Sequence, residues 1–201
     1  MTTKEMFIAE IEKIKRADLK EVALELVDEI PEYFWVVPAS SSGKYHPEIS
    51  LGDGGLVRHS IMVSRIAEDL VRCEMLGRAN DDYYDIARFT ALFHDSFKSG
   101  KVAEDGTYSD HTVFEHPRIA SQFIKAKLES KGIDSYLVEI ISGAIYTHMG
   151  IWCVDTYGER NGNPQKALSK PRTDFEKLIH IADYTASRKY ISGLDETEWK
   201  V

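Results

Sequence analysis

Side chains that can bind metal ions stand on the apolar faces of several predicted helices, and this arrangement restricts the fold most. Apolar residues recur at helical spacing around these side chains, and a helix buries such a stripe. A buried imidazole or carboxylate is costly unless it is paired or bound to metal. Both groups are common ligands of transition metals, so the pattern predicts an all-α bundle around a metal site. The residues concerned are His59, the adjacent pair His94 and Asp95, His116, His148 and Asp183.

The same periodicity predicts about six to eight helices and no strand. Stretches rich in glycine, serine, proline and charged residues separate the helices, and we expect loops over 39–55, 96–110 and 149–171. Asp81 or Asp82 is expected to cap the helix that leads to His94, and Thr173 to cap the last helix, because short polar side chains accept hydrogen bonds from the first helical turn. The helices are predicted over 3–30 (one or two helices), 56–76, 81–95, 113–130, 135–148 and 173–191.

Composition narrows the class of protein. The 201 residues suffice for one domain, with helices and a loop over 1–50 packed on a core of 51–191. A net charge of −8 argues against binding to long DNA or RNA, which usually requires a basic face. Cys73 and Cys153 lie far apart, there is no signal-peptide core, and no apolar run approaches the roughly 20 residues of a membrane span. We expect a soluble cytoplasmic protein with no membrane partner, and the sequence leaves open whether it forms a homodimer.

Three short motifs follow one another along the chain. Gly54 to Ser60 reads GGLVRHS, Phe93 to Lys98 reads FHDSFK, and Ile181 to Arg188 reads IADYTASR. Together they resemble the entry helix, the His-Asp pair with its downstream lysine, and the closing helix of the HD superfamily of metal-dependent phosphohydrolases. The resemblance covers roughly 51–191, and the stretch 38–46 before it is similar to small bacterial and phage-type HD proteins. It implies an HD-type helical domain with a metal site.

The resemblance also implies how the ligands divide between two metal ions. Asp95 would bridge the first ion to a second ion held by His116 and His148. The implied cofactors are two divalent transition-metal ions, namely Fe, Mn, Co or Ni, with Mg also admitted. The ligands implied for the first ion are His59, His94, Asp95 and Asp183.

Asp95 and Lys98 are the expected catalytic residues. Lys98 lies three residues past Asp95 and is expected to face a phosphate beside the metals, since phosphoryl transfer needs charge stabilisation; a solvated loop lysine is the alternative. The segment 159–172 is interpreted either as a phosphate-clamping lid or as a plain loop, and His180 is expected on the surface. Other candidates for substrate contact, each with a structural or solvated alternative, are His46, Arg58, His111, Trp152, Lys170, Arg172 and Arg188.

Three functions are consistent with this pattern. The leading hypothesis is an enzyme that hydrolyses a phosphoester or phosphoanhydride bond of a small phosphorylated substrate, in particular a nucleotide. The second is a di-iron oxygenase of the HD type, which uses the same six ligands. The third is a non-catalytic module that binds a nucleotide or a metal, and the complete ligand set argues against it.

Overall fold

The chain folds into a helical bundle. The computed structural model describes residues 1–41, 43–77, 81–152 and 168–189. Within these residues there are seven α-helices and no strand, which confirms the predicted all-α bundle of six to eight helices. The helices are α1 (Thr3–Ile11), α2 (Ala17–Glu29), α3 (Gly55–Arg72), α4 (Asp81–Phe93), α5 (His116–Ser130), α6 (Ser135–Thr147) and α7 (Asp174–Ala186). Short 3-10 turns lie at Glu32–Trp35, Glu48–Ser50 and Gly150–Trp152.

Helices α3 and α6 form the centre of the bundle. Helix α3 packs against α4 and α7, and α6 packs against α5, α7 and α4. One cluster of buried apolar side chains joins the N-terminal helices to this centre. Within it the ring of Phe7 lies edge-to-face against Phe34, Trp35 and Phe93, with each pair of ring centroids 5.4 Å apart. Contacts of this kind contribute about 0.5–1.5 kcal/mol per pair, and they fasten α1 to the end of α4, next to His94.

The helix starts follow local sequence signals only in part. Thr173 caps α7 as predicted, and its hydroxyl accepts a hydrogen bond from the amide of Glu176, whose carboxylate in turn accepts from the Thr173 amide. The prediction for α4 is wrong, because Asp81 and Asp82 lie inside the first turn rather than at the cap. There they favour the helix through its positive N-terminal dipole.

Three helix boundaries differ from the predicted ones by three residues or more. Helix α5 begins at His116 rather than at 113, with a proline in its first turn, and the Val113 amide instead donates to the carbonyl of Lys98. Helix α3 ends at Arg72 rather than at 76, because Glu74 adopts a left-handed backbone with φ of 58°. Helix α7 ends at Ala186, before the predicted 191, which lies outside the described residues.

None of the helices described is both long and apolar enough to span a bilayer.

Candidate metal centre

The six predicted metal ligands meet at the centre of the bundle. None of them is more than 9% exposed. The set of His59, His94 and Asp183, and the set of His94, Asp95 and His148, each lie close enough together to hold a metal ion. His59 comes from α3 and Asp183 from α7, His94 and Asp95 follow α4, and His116 opens α5. His148 is the residue that caps the end of α6.

Hydrogen bonds to backbone carbonyls orient the rings of three of these histidines. His94, His116 and His148 each place Nδ1 against the backbone carbonyl three residues earlier. Because a carbonyl oxygen only accepts, Nδ1 must carry a proton, and in the neutral ring Nε2 keeps a lone pair directed into the site. The last carbonyls of a helix lack intrahelical partners, which explains why histidines just after α4 and α6 bond in this way. The accepting oxygens belong to Ala91 at 2.7 Å, Val113 at 2.6 Å and Ile145 at 2.7 Å.

One oxygen of Asp95 faces the histidines of α5 and α6. Its Oδ1 lies 2.9 Å from Nε2 of His116 and 3.3 Å from Nε2 of His148. The two Nε2 atoms are 3.1 Å apart. Three acceptor atoms therefore surround one small volume on this side of the carboxylate.

The other oxygen of Asp95 faces α3 and the end of α4. Its Oδ2 lies 3.5 Å from Nε2 of His94 and 3.8 Å from Nε2 of His59. Oδ1 of Asp183 completes this group, at 3.1 Å from Nε2 of His59 and 3.7 Å from Nε2 of His94. The carboxylate of Asp95 is thus shared between two separate groups of nitrogen and oxygen atoms.

The spacing of these atoms suits metal coordination. Two ligand atoms about 2.1 Å from one ion are separated by about 3.0 Å at a right angle and by about 3.4 Å at a tetrahedral angle. The contacts made by Asp95 and Asp183 span 2.9–3.8 Å. Nε2 of His94 and Oδ1 of Asp95 are buried without a hydrogen-bond partner, and unpartnered acceptors at this depth are costly. A cation between them would remove that cost, so the residues present fit a metal.

The protonation states favour ligation as well. Burial lowers the pKa of His116 to about 4, so this imidazole is neutral near pH 7. Burial alone would raise the pKa of Asp95, but the charge of Lys98 and the histidines around the carboxylate hold it well below the ordinary value. Burial opposes a charge on His94, yet Asp95 and Asp183 raise the pKa of this ring, so its Nε2 must lose a proton before it can bind a metal ion. Neutral imidazoles and ionised carboxylates are the forms that bind metal.

Lys98 belongs to the centre rather than to the solvent. Its Nζ donates to Oδ2 of Asp95 at 2.6 Å, and only 15% of the side chain is exposed. Burial opposes the charge, yet the carboxylates of Asp95 and Asp183 raise the pKa of Lys98 above its ordinary value. The lysine therefore remains a cation beside the ligands.

A cavity of about 390 Å³ opens onto this centre. Lys98, His148 and Asp183 line its inner end, and Trp152 and Arg188 line it farther out. The cavity has the size of a small-molecule site. His46 also lines this cavity, and its two ring nitrogens are buried without a hydrogen-bond partner. The centroid of its ring lies 5.4 Å from that of the His59 ring.

Of the two roles that the sequence left open for Arg58, the structural one agrees with its contacts. Its guanidinium donates to the carbonyls of Ile49 at 2.5 Å, Leu51 at 2.8 Å and Asp53 at 2.9 Å. All three acceptors belong to the loop that precedes α3. Arg58 therefore holds this loop in place and has no donor directed at the cavity.

Three other predicted contacts do not line the cavity. Lys170 and Arg172 are exposed on the segment before α7, and the Arg172 amide bonds the carboxylate of Glu176 in the capping region. Neither residue lines the cavity among the described residues, so their contact with substrate stays a prediction. His111 is also exposed and lines a separate cavity of about 190 Å³ that shares only Lys98 with the first. Most of the predicted lid, 159–167, lies outside the described residues.

Several residues around the centre escaped sequence reasoning. His180 is half-buried rather than on the surface, and its Nδ1 donates to the carbonyl of His148 at 2.8 Å. A side chain at Gly150 would strike the ring of His180, with Cβ only 2.0 Å from Cε1. Tyr45 lines the cavity beside Arg188, and the ring of Tyr184 lies against the Arg188 guanidinium. Only the position of His180 three residues before Asp183 could have signalled its role.

Comparison of the chain with protein-family models, with curated proteins and with solved structures gave no match. The candidate function therefore depends on the sequence motifs and on the geometry of the centre.

Proposed function

We propose that the protein is a metal-dependent phosphohydrolase that cleaves a phosphoester or phosphoanhydride bond of a small phosphorylated metabolite, in particular a nucleotide. The single observation that carries the proposal is the division of the Asp95 carboxylate. Its Oδ1 faces His116 and His148, while its Oδ2 faces His59 and His94. A carboxylate in this position is suited to bridge two cations. Nitrogen and carboxylate ligands together favour Fe, Mn, Co or Ni over Mg.

Each ligand has a defined task in this proposal. Two bound metal ions would activate a water molecule and neutralise charge on a phosphoryl oxygen. His116 and His148 would hold one ion, with their ring orientation fixed by the Nδ1 hydrogen bonds. His59, His94 and Asp183 would hold the other ion, and one ligand of each set, His148 or Asp183, lines the cavity.

Lys98 would stabilise the transferred phosphoryl group. A cation held by Asp95 would compensate the charge of this carboxylate and weaken its attraction for the ammonium of Lys98. The ammonium lines the cavity beside the ligands, so a short rotation about its side chain would bring it to a phosphoryl oxygen. Negative charge on that oxygen is what an ammonium in a water-poor site stabilises best.

The test is a substrate panel combined with metal analysis. Purified protein would be reconstituted separately with Mn, Co, Ni, Fe and Mg and assayed for release of phosphate, pyrophosphate and triphosphate from nucleotides and sugar phosphates. The proposal predicts metal-dependent release that is absent from an Asp95→Ala variant. Oxygen consumption by the iron form without phosphate release would point to an oxygenase. Metal binding with no turnover of any substrate would point to a non-catalytic module.

A further inference from the structure

The outer end of the cavity carries aromatic rings that the proposed hydrolysis does not use. Trp152 stacks on Tyr184 with ring centroids 5.3 Å apart and planes only 13° apart. The guanidinium carbon of Arg188 lies 4.3 Å from the ring centre of Tyr184, 5.3 Å from that of Trp152 and 5.6 Å from that of Tyr45. We call these four residues the aromatic rim.

Two rings of the rim are more exposed than side chains that pack in the core. Trp152 is 39% exposed and Tyr45 is 54% exposed. Arg188 donates through Nε to the carbonyl of Tyr184 at 3.2 Å. In the part of the chain that is described, no carboxylate pairs with this guanidinium. Arg188 is therefore a cation without an ion pair among these residues, and it lies between partly exposed rings at the mouth of a cavity. Such an arrangement is suited to bind a ligand.

We propose that the rim is a nucleobase-binding subsite, which makes a nucleotide the substrate class of the adjacent centre. This inference rests on the proposed function for the identity of the reacting group. Flat faces of aromatic rings and of guanidinium groups are the surfaces on which proteins stack bases. A sugar phosphate without a base has no planar group to offer this surface. The base therefore lies at the rim, and the phosphates point inward to Lys98.

His46 supports this orientation of the ligand. Its imidazole lines the cavity next to Tyr45 in the chain and lies against His59 of the metal centre. Both ring nitrogens are buried without a partner. A ligand that spans the cavity from rim to metals would pass His46 and supply that partner through a sugar hydroxyl or a phosphate oxygen. The cavity thus offers stacking, hydrogen-bonding and cationic groups in the order in which a nucleotide presents base, sugar and phosphate.

The direct test is binding of ligands that have no phosphate. Adenosine, guanosine, cytidine and uridine would be titrated calorimetrically into the full-length protein, with ribose as the control ligand. We expect the nucleosides to bind and ribose not to bind. Trp152→Ala should weaken nucleoside binding roughly 10-fold, as expected for loss of one stacking partner, and Trp152→Phe should retain affinity within about 3-fold because a ring remains. The matched control is Tyr136→Ala, which removes a ring that is 65% exposed at the start of α6, outside the rim.

Kinetics separates this inference from the proposed function. In Trp152→Ala the KM for a nucleotide should rise roughly 10-fold more than the KM for ribose 5-phosphate, and kcat should change less than KM. Nucleoside binding that depends on Trp152, in a protein that hydrolyses nothing, would support the subsite and contradict the hydrolase. Equal affinity for nucleosides and ribose, or a Trp152→Ala variant indistinguishable from Tyr136→Ala, would overturn the subsite even if phosphate is released.

Discussion

Two groups of charged side chains in this protein bury carboxylates, but they differ in how those carboxylates are hydrogen-bonded. The first, which we call the paired cluster, consists of Glu10, Arg65, Glu68, Asp85 and Arg88. There every carboxylate meets a donor. Asp85 accepts from the amides of Lys15 at 2.9 Å and Arg16 at 2.8 Å, Glu10 pairs with Arg65, and Glu68 pairs with Arg88.

The metal centre lacks such donors. The Nδ1–H groups of His94, His116 and His148 donate to backbone carbonyls, so in the neutral rings the Nε2 lone pairs face the interior of the site and the oxygens of Asp95. Among the described side chains, Lys98 is the only lysine or arginine that forms an ion pair there. Burial of charged side chains therefore does not by itself mark a functional site. An excess of buried acceptors is the more informative sign, because a bound cation would remove the cost of burying them.

The largest loss of metal and activity is expected when the shared carboxylate of Asp95 is removed. Asp95→Ala should lose both metal ions and reduce hydrolysis to background, while helix content stays nearly unchanged. The reason is that Asp95 contributes an oxygen to each side of the centre. Metal content by plasma mass spectrometry and helix content by circular dichroism check the result. Full metal content and turnover in this variant would show that the role of Asp95 is misassigned.

The matched substitution in the paired cluster should lower the stability of the fold and leave metal binding unchanged. Asp85→Asn should destabilise the fold by about 3 kcal/mol, because it removes the buried negative charge that faces Arg88 and that strengthens the hydrogen bonds from the Lys15 and Arg16 amides. That corresponds to a melting temperature lower by about 6–12 °C for a chain of this size. Metal stoichiometry should be unchanged. Loss of metal from folded Asp85→Asn protein would mean that the two clusters are not independent.

Lys98 tests whether the cation of the centre serves catalysis or ligation. Lys98→Ala should leave metal content unchanged and lower kcat/KM by roughly 100-fold, about 2.7 kcal/mol. The transition state carries more negative charge near the metals than the ground state does, so loss of the ammonium should matter most there. Lys101→Ala, at an exposed lysine of the same loop, is the control. Unchanged kinetics with a phosphorylated substrate would return Lys98 to a structural role, and parallel loss of metal would assign it to support of the ligands.

The smallest effect on activity is expected for Arg58. This residue precedes the proposed ligand His59, but its guanidinium bonds the loop before α3. Arg58→Ala should cost about 1–2 kcal/mol in unfolding free energy, since three loop carbonyls lose their donor. The KM and kcat should remain within about 3-fold of the unsubstituted protein. Chemical denaturation and steady-state kinetics measure the two quantities. A selective rise in KM with stability preserved would restore the prediction that Arg58 contacts substrate.

The fold and the ligand positions were accessible to sequence reasoning because both depend on periodicity. His59, His148 and Asp183 stood on apolar stripes, and burial of such a stripe brings its polar member into the interior whatever the helix boundaries are. Errors at the ends of α3 and α5 therefore did not displace any ligand. The capping signal at Thr173 was equally reliable because it acts within one turn.

The surroundings of the centre could not be predicted, because they depend on contacts between distant segments. Arg58 bonds carbonyls of a loop whose path the sequence does not fix. His180 meets the carbonyl of His148 only through the packing of α6 against α7. Tyr45 joins Arg188 across the cavity although 143 residues separate them in the sequence. Side chains of these types occur throughout any surface, so nothing in their local pattern singled them out.

The most direct test of the central claim is the number and position of bound metal ions. Crystals of the protein reconstituted with Mn would be measured for anomalous scattering. We predict two ions about 3.5–4 Å apart, with Oδ1 of Asp95 on the ion held by His116 and His148 and Oδ2 on the ion held by His59, His94 and Asp183. A single ion, with the rings of His116 and His148 turned away from it, would contradict the account.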